Sequence, residues 1–585
     1  MRNSFFFPVV LLVLLLLQDF SAAQGAFTPE QYRKALWMVT RFYGAQRDGA
    51  GPNWLLMDHE YKTSFLKDGE TDGIDLVGGW FDCGDNVLFG QTFFYSAYML
   101  AKAYDVFPKG FHDDYHGWDY SDYAESAENN NNCKDWNMSC GEGDGIPDLL
   151  QELKYATDWI IKATPNANTI YYQKGRAKGN GGDHQLWITS GYKATLNRTQ
   201  GGEADTPRPV YKDNAGGDVA SFAAATLAVM SRIYRKYDPD YADLSLEHAR
   251  YAYQYASTRK NAHTVDPESC CYTGAGTAKV PVMFHIASGE MYKATGETAF
   301  YNDMLTETIS RNWAFDYANP HDLAAYVSAT TLTENSQSHI ANMRTQFAQY
   351  YRGDAATADN DEHSTGISKV GGSWGAVRYL GNHAFSAALY ANLADTDEFD
   401  EFIYRQIDFI LGKNRRDYSF LVGFDDHGGE MAQKPHHRNV FLNDDNILNE
   451  SNYNDLLVIP ERNKYFGYMV GGHRNPNKYV DDVLDYSSTE GGIDYNAGFL
   501  GALAYIVSKV APADEITPVK ISPAKTSFQN SVVRFVGTHE FAAQNKSFTV
   551  RVFDLKGNEV SVIKSNGQAV RFTPKSNGIY YATVK

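Results

Sequence analysis

The chain has no C-x-x-C pair, no basic block and, past its N-terminus, no apolar run approaching eighteen residues. Each absence removes a class. Five cysteines in 585 residues (Cys83, Cys133, Cys140, Cys270 and Cys271) cannot frame a disulfide-stapled fold, and no spacing among them suits a tetrahedral structural zinc. Cys133 and Cys140 sit at a spacing that allows pairing in an exported protein, and the odd count leaves at least one thiol free. Lys and Arg number 53 against 71 Asp and Glu, a formal net charge of −18, so nucleic acid and anionic membrane surfaces are poor partners. The missing long apolar runs leave no membrane span in the mature chain.

What is present is globular: 43% hydrophobic and 21% charged residues argue against wholesale disorder. Aromatics reach 14%, enough for an aromatic core and for flat faces that stack on sugar rings. At the N-terminus Arg2 precedes an apolar run from Phe5 to Leu17, and Ser21-Ala22-Ala23 follows with small residues at the cleavage positions. Residues 1–23 therefore read as a secretory signal peptide, and the protein as secreted and extracellular.

From Ala26 to about Pro512 the apolar residues recur at helical spacing. Thr28-Pro29-Glu30 is an N-cap with Pro at the first helical position, followed by Ala35, Leu36, Val39, Phe42 and Tyr43 on one side. Another helix opens at Pro147-Asp148 and carries Leu149, Leu150, Leu153, Ala156, Trp159 and Ile160. About eleven or twelve such helices are expected, separated by loops rich in Gly, Asn and Asp. No strands alternate with them, so a parallel α/β sheet is disfavoured. The composition changes at Ala511-Pro512-Ala513-Asp514-Glu515, which marks a linker over 513–518. Beyond it, 531–536, 548–553 and 578–584 alternate with period two between turns at Lys556-Gly557-Asn558 and Ser576-Asn577-Gly578. Residues 519–585 thus predict a small all-β sandwich domain.

Two motifs fail on inspection. Gly371-Gly372-Ser373-Trp374-Gly375 fits the nucleophile elbow of serine hydrolases, but the sheet that elbow requires is missing. Asp68 to Gly73 starts like a calcium loop, but the twelfth position is Gly79 where a glutamate is needed.

Three segments carry chemistry. Gly78-Gly79-Trp80-Phe81-Asp82-Cys83-Gly84-Asp85-Asn86 places two carboxylates three residues apart in a glycine-rich loop opening a helix. A pair of ionised carboxylates suits a hydrolase that must orient and deprotonate a water; helix capping is the plainer alternative. Tyr479 to Ala497 is dense in acids and aromatics, and a carboxyl beside Tyr486 or Tyr495 gains a raised pKa, as a general acid requires. A solvated acidic loop is the plainer alternative there. Pro435-His436-His437-Arg438 offers groups for hydroxyls or a carboxylate, while adjacent histidines are not a metal pair.

Together these blocks resemble glycoside hydrolase family 9, the inverting endoglucanases, over roughly residues 26 to 512. G-G-W-x-D-A-G-D matches Gly78 to Asp85, with Cys83 in place of Ala. The late family signature matches Tyr479, Asp481, Tyr486, Glu490, Asn496 and Ala497, with Gly492 where Ser, Thr or Ala is usual. P-H-x-R matches Pro435, His436 and Arg438. The resemblance implies an all-α (α/α)6 barrel over 24–512 with its cleft built from loops at one end. It implies inverting endo-1,4-β-glucanase activity on cellulose and related glucans, by a monomer that needs no cofactor. By position Asp85 is the expected general base, Asp82 its partner and Glu490 the general acid, supported by His436, Asp481 and Tyr495. Gly182-Asp183-His184 with Trp187 resembles the family's D-H-x-x-W segment, and Asp205-Thr206-Pro207-Arg208 its D-T-P-R. His184, Trp187, Trp313, Trp374, Arg378 and Arg438 are the expected sugar contacts. Many members hold a structural calcium ahead of a helix ending Lys-Ala-Thr-Gly; here Val282 and Met283 replace the usual acidic pair before Lys293-Ala294-Thr295-Gly296, so no metal ligands are assigned. The C-terminal segment resembles sorting domains of Bacteroidetes-type secretion, implying secretion machinery as a partner and attachment to the cell surface. The rival reading is a non-catalytic β-glucan-binding protein on the same barrel.

Overall fold

A computed structural model describes residues 25–51, 63–113, 145–178, 182–184, 187–212, 215–259, 261–262, 271–272, 277–305, 309, 313–348, 367–368, 374–438 and 467–514. In the C-terminal part it describes 532–536, 539–541, 548–554, 559–566, 568–573 and 579–584. The signal-peptide segment, Cys133, Cys140, Cys270, most of the expected linker and the first three residues of the Gly371 motif lie outside the described residues.

Among the described residues twelve helices build the ring: α1 (Pro29–Ala45), α2 (Gly90–Val106), α3 (Asp148–Ala163), α4 (Gly217–Ile233), α5 (Pro239–Thr258), α6 (Val280–Thr295), α7 (Thr298–Asn302), α8 (His321–Thr331), α9 (Ser336–Gln346), α10 (Arg378–Ala394), α11 (Asp400–Ile410) and α12 (Ile493–Val510); two short helices, Ser190–Ala194 and Tyr486–Thr489, lie in the loops between them. The even-numbered helices pack side by side in the order α2, α4, α6, α8, α10, α12, and α12 returns against α2 to close a ring. Each odd-numbered helix lies outside an even one, so inner and outer helices alternate along the chain as an α/α barrel.

Composition explains which helix goes where. Inner helices are enclosed on nearly every side; α4 buries Gly217 to Ser231 without a break, mostly small residues. Small residues let backbones approach: a Cβ at Gly498 of α12 would fall 2.0 Å from Asn382 Oδ1 of α10. Outer helices show one apolar stripe. In α3 that stripe is Leu149, Leu150, Leu153, Ala156, Trp159 and Ile160, the set expected from spacing. Thr28 caps α1 in a reciprocal capping box with Gln31. The shortest of the twelve is α7, an outer helix of only five residues. The helix that the glycine-rich loop opens starts only at Gly90, after a loop at 86–87 and a short strand at Leu88–Phe89. Asn86 is fully buried, and its carbonyl accepts from Arg208 Nη1 at 2.7 Å, so the chain stays extended there.

In the C-terminal part an antiparallel sheet runs Val532–Val536, Ile579–Val584, Phe548–Asp554, Glu559–Ser565, and Val570–Phe572 pairs with His539–Phe541. Phe541, Val550, Val552, Phe572 and Ala582 from both sets of strands share one small core. The described residues contain no helix long and apolar enough to cross a membrane. Cys83 is a free, buried thiol, and Cys271 is disulfide-bonded.

Candidate active site

The cleft is assembled by loops at one end of the ring. Gly78 and Gly79 have φ of +113° and +80°, a turn that side chains resist, and it drives Trp80 inward. Trp80 packs on Tyr43 and Phe93 and donates from its indole to Glu152 Oε1 at 2.8 Å. The chain beyond is thereby fixed as it presents Asp82 and Asp85. Three distant segments are then stitched through their backbones. Arg438 N donates to Gly84 O (2.9 Å), Ile493 N to Asp82 O (2.9 Å) and His436 N to Thr489 O (3.2 Å). Gly84 admits no side chain, since a Cβ there would fall 2.3 Å from the Trp187 ring and 2.4 Å from His436 O.

The resulting cavity of about 760 Å³ is lined by Asp82, Asp85 and Glu490 together with His184, Trp187, Trp374, Arg378, His436 and Tyr495. Nine of the twelve residues expected at the site therefore meet. Asp85 Oδ2 lies 2.6 Å from His184 Nδ1, and Asp85 Oδ1 accepts from Val87 N at 3.0 Å. Glu490 Oε1 faces Gly84 N at 3.4 Å. Trp187 and His436 bring their ring centres to 4.0 Å. Arg378 lies over the Tyr495 ring at 4.8 Å and reaches Asp494 Oδ2 at 3.3 Å.

Three expected residues stand elsewhere. Arg438 is fully buried and does not line the cavity. Its guanidinium donates to the carbonyls of Cys83 (3.0 Å) and Asp85 (2.6 Å) and to Gln46 Oε1, and it lies over Phe81. Expected as a sugar contact, Arg438 lies beneath the loop that carries Asp82 and Asp85 and binds its carbonyls. Asp481 also stays outside; it accepts from the amides of Gln433 and Lys434 and from the Tyr479 hydroxyl, holding the segment that leads to His436. Trp313 packs on Tyr379, one ring behind Arg378.

The cavity also contains residues the sequence reading did not assign: Cys83, Phe89, Cys271, Tyr272, Tyr317, Leu484 and Tyr486. Trp374 and Tyr486, 49% and 51% exposed, form an open aromatic pair with centres 5.2 Å apart. Asp494, buried behind Arg378, was also missed, although it lies within the late signature. Tyr272 follows two cysteines in a loop without a motif, and no sequence signal pointed to it.

Burial and like charge divide the carboxyls. Glu490, 9% exposed, is pushed well above its usual range by burial and by the charges of Asp85 and Asp82. Burial, then Asp494 and Asp85, push Asp82 up to about 7, against donation from Thr92. That departs from the expectation of two ionised aspartates: Asp82 holds its proton up to near-neutral pH. His184 is raised despite burial because Asp85 accepts its hydrogen bond and supplies the opposing charge. His436 is pushed down to about 4 by burial and stays neutral. Val282 and Met283 bring no side-chain oxygen donors where an acidic pair is usual. Among the described residues no group of three or more His, Cys, Asp or Glu is placed to hold one.

The Glu490 shift gives a stability prediction. A carboxyl that holds its proton more tightly when folded contributes fully below its unfolded value, near 4.5, and that contribution fades as pH rises toward the folded value. Glu490→Gln never ionises. Its melting temperature is therefore expected to exceed the wild type's at about pH 9, with the gap closing near pH 4.5. A gap that is constant with pH in calorimetry contradicts the assignment of a buried, proton-holding Glu490.

Comparison with known proteins gives one consistent neighbourhood. The sequence model for Glycosyl hydrolase family 9 matches residues 32–503. Endoglucanase A of Fibrobacter succinogenes is 31% identical over 434 residues, covering 72% of this chain and 90% of that protein. The structure of an endoglucanase from the termite Nasutitermes takasagoensis aligns with a TM-score of 0.60 at 25% identity, covering 82% of this chain and 98% of the other. An endoglucanase of Clostridium thermocellum complexed with cellotriose aligns with a TM-score of 0.59 at 22% identity, covering 95% and 88%, a likeness of fold.

Proposed function

Because the chain belongs to glycosyl hydrolase family 9, we propose that its cleft hydrolyses internal β-1,4-glucosidic bonds of cellulose and related β-glucans with inversion at the anomeric carbon. The class of enzyme, an endo-1,4-β-glucanase or cellulase, follows from the family and its endoglucanase relatives. The assignment of residues is a further step. One observation supports it: a single cavity holds a buried glutamic acid that keeps its proton and an aspartate bonded to a histidine with a raised pKa.

In this scheme Glu490 donates its proton to the departing sugar oxygen. Asp85 takes a proton from the attacking water, with Asp82 as the second carboxylate on that water. His184, donating to Asp85 Oδ2, keeps Asp85 an acceptor and orients it. Trp187 against His436, and the open pair Trp374 and Tyr486, offer flat faces for sugar rings. Arg378 over Tyr495 holds the cleft wall near the acid. No cofactor enters the chemistry. Water attacking from the face opposite the leaving group gives the α-anomer first. Proton NMR of a short cello-oligosaccharide during early turnover is expected to show α-product before mutarotation; β-product would overturn inversion.

We also propose export by the N-terminal segment, and a sorting role for the C-terminal strands, read as a sandwich domain that follows a linker. A chain ending at Ala513 is expected to keep its hydrolytic activity once purified and to be lost from the cell surface. Normal surface display of that chain would count against sorting.

A further inference from the structure

Two departures from the family pattern, Cys83 and Gly492, meet in space. Gly492 precedes α12 in extended backbone, with φ −145°. A Cβ built on it falls 2.9 Å from Cys83 Sγ and 2.9 Å from Asp494 Oδ1. That is closer than carbon and sulfur pack without bonding, so the sulfur occupies room that a side chain at 492 would need. The thiol is 6% exposed. Its Sγ lies 3.1 Å from Asp82 Oδ2 and 3.4 Å from the Tyr272 hydroxyl. The other Asp82 oxygen accepts from the Thr92 hydroxyl. Burial and the charge of Asp82 push the thiol well above its usual range, so the sulfur keeps its proton and is a donor, not a nucleophile.

We propose that Cys83 is a positioning residue for the hydrolysis: its S–H holds Asp82 Oδ2 in place beside Asp85, and the missing side chain at Gly492 makes the room for it. The proposal rests on the reading of Asp82 as the partner of Asp85. Each of the two substitutions fits only with the other. A side chain at 492 displaces the sulfur, and an alanine at 83 beside Gly492 leaves a gap next to a buried carboxyl. The groups that face Asp82 are Asp85, Asp494, Thr92, Tyr272 and Cys83 itself.

The test compares C83A, C83S, G492A and the double variant C83A/G492A in the full chain, with D82N as reference. Turnover of carboxymethylcellulose is followed against pH, and melting temperature is measured alongside. C83A is expected to lose about three- to tenfold in kcat with KM little changed, the scale of one lost bond to a charged acceptor from a weak donor. Its acid limb moves to higher pH, because Asp82 loses a donor that favours its ionised form. C83S keeps a donor and brings the limb back. G492A pushes the thiol aside and moves the limb as C83A does. The double variant regains the melting temperature lost by the singles, since a methyl refills the gap, yet keeps the displaced limb. If the double variant regains both, Cys83 only fills space and the proposal falls; an unmoved limb in C83A also overturns it. D82N at wild-type activity would remove the role of Asp82 first, and is read separately from the behaviour of the thiol.

Discussion

Glu490→Gln is expected to slow cleavage of a cellulosic polymer by about 10²–10⁴-fold, the usual worth of one general acid. The amide keeps the shape of the side chain and can still face Gly84 N through its oxygen. What it lacks is the proton. The wild-type residue holds that proton because it is buried beside Asp85 and Asp82. Sugar binding, which rests on the aromatic faces, is expected to survive, so the loss falls on kcat more than on KM. A dinitrophenyl or fluoride glycoside has a leaving group that departs without protonation and is expected to lose far less. Equal loss on polymer and activated substrate would remove Glu490 from the role of acid.

Asp85→Asn is the complementary case, with a loss expected to be at least as large, about 10³-fold or more, on both kinds of substrate. The attacking water then has no base whatever the leaving group. Asp85 accepts from His184 and from Val87 N, so asparagine also disturbs the tie to His184, whose raised pKa depends on that carboxylate. The histidine is expected to titrate lower in the variant, a change visible by NMR of its ring. If Asp85→Asn spares the activated substrate and Glu490→Gln does not, the two roles are reversed.

The inner and outer helices were legible because each writes its environment into its spacing: α3 shows one apolar stripe, and α4 is apolar nearly all round. The three segments that line the cleft were legible because they match blocks of the family in the same order. Residues that act through a packed neighbour were harder to read. Arg438 belongs to a recognisable block, yet nothing in P-H-x-R says that the guanidinium turns beneath the Asp85 loop to bind its carbonyls. Asp481 carries a signature position and spends it on two backbone amides. Tyr272 reaches the site through tertiary packing alone, and such contacts leave no period and no spacing in a sequence.

The ring also decides when the proposed site is complete. Gly84 and Glu490, which face each other in the cleft, are separated by 406 positions in the chain. The seam between α2 and α12 joins the first inner helix of the chain to the last. Without α12 the inner faces of α2 and α10 stand uncovered, and a chain that stops before residue 490 lacks one of the two carboxyls proposed for the reaction. Contacts so distant make folding slow relative to a bundle of neighbouring helices. The proposed site is therefore complete only when the ring is closed.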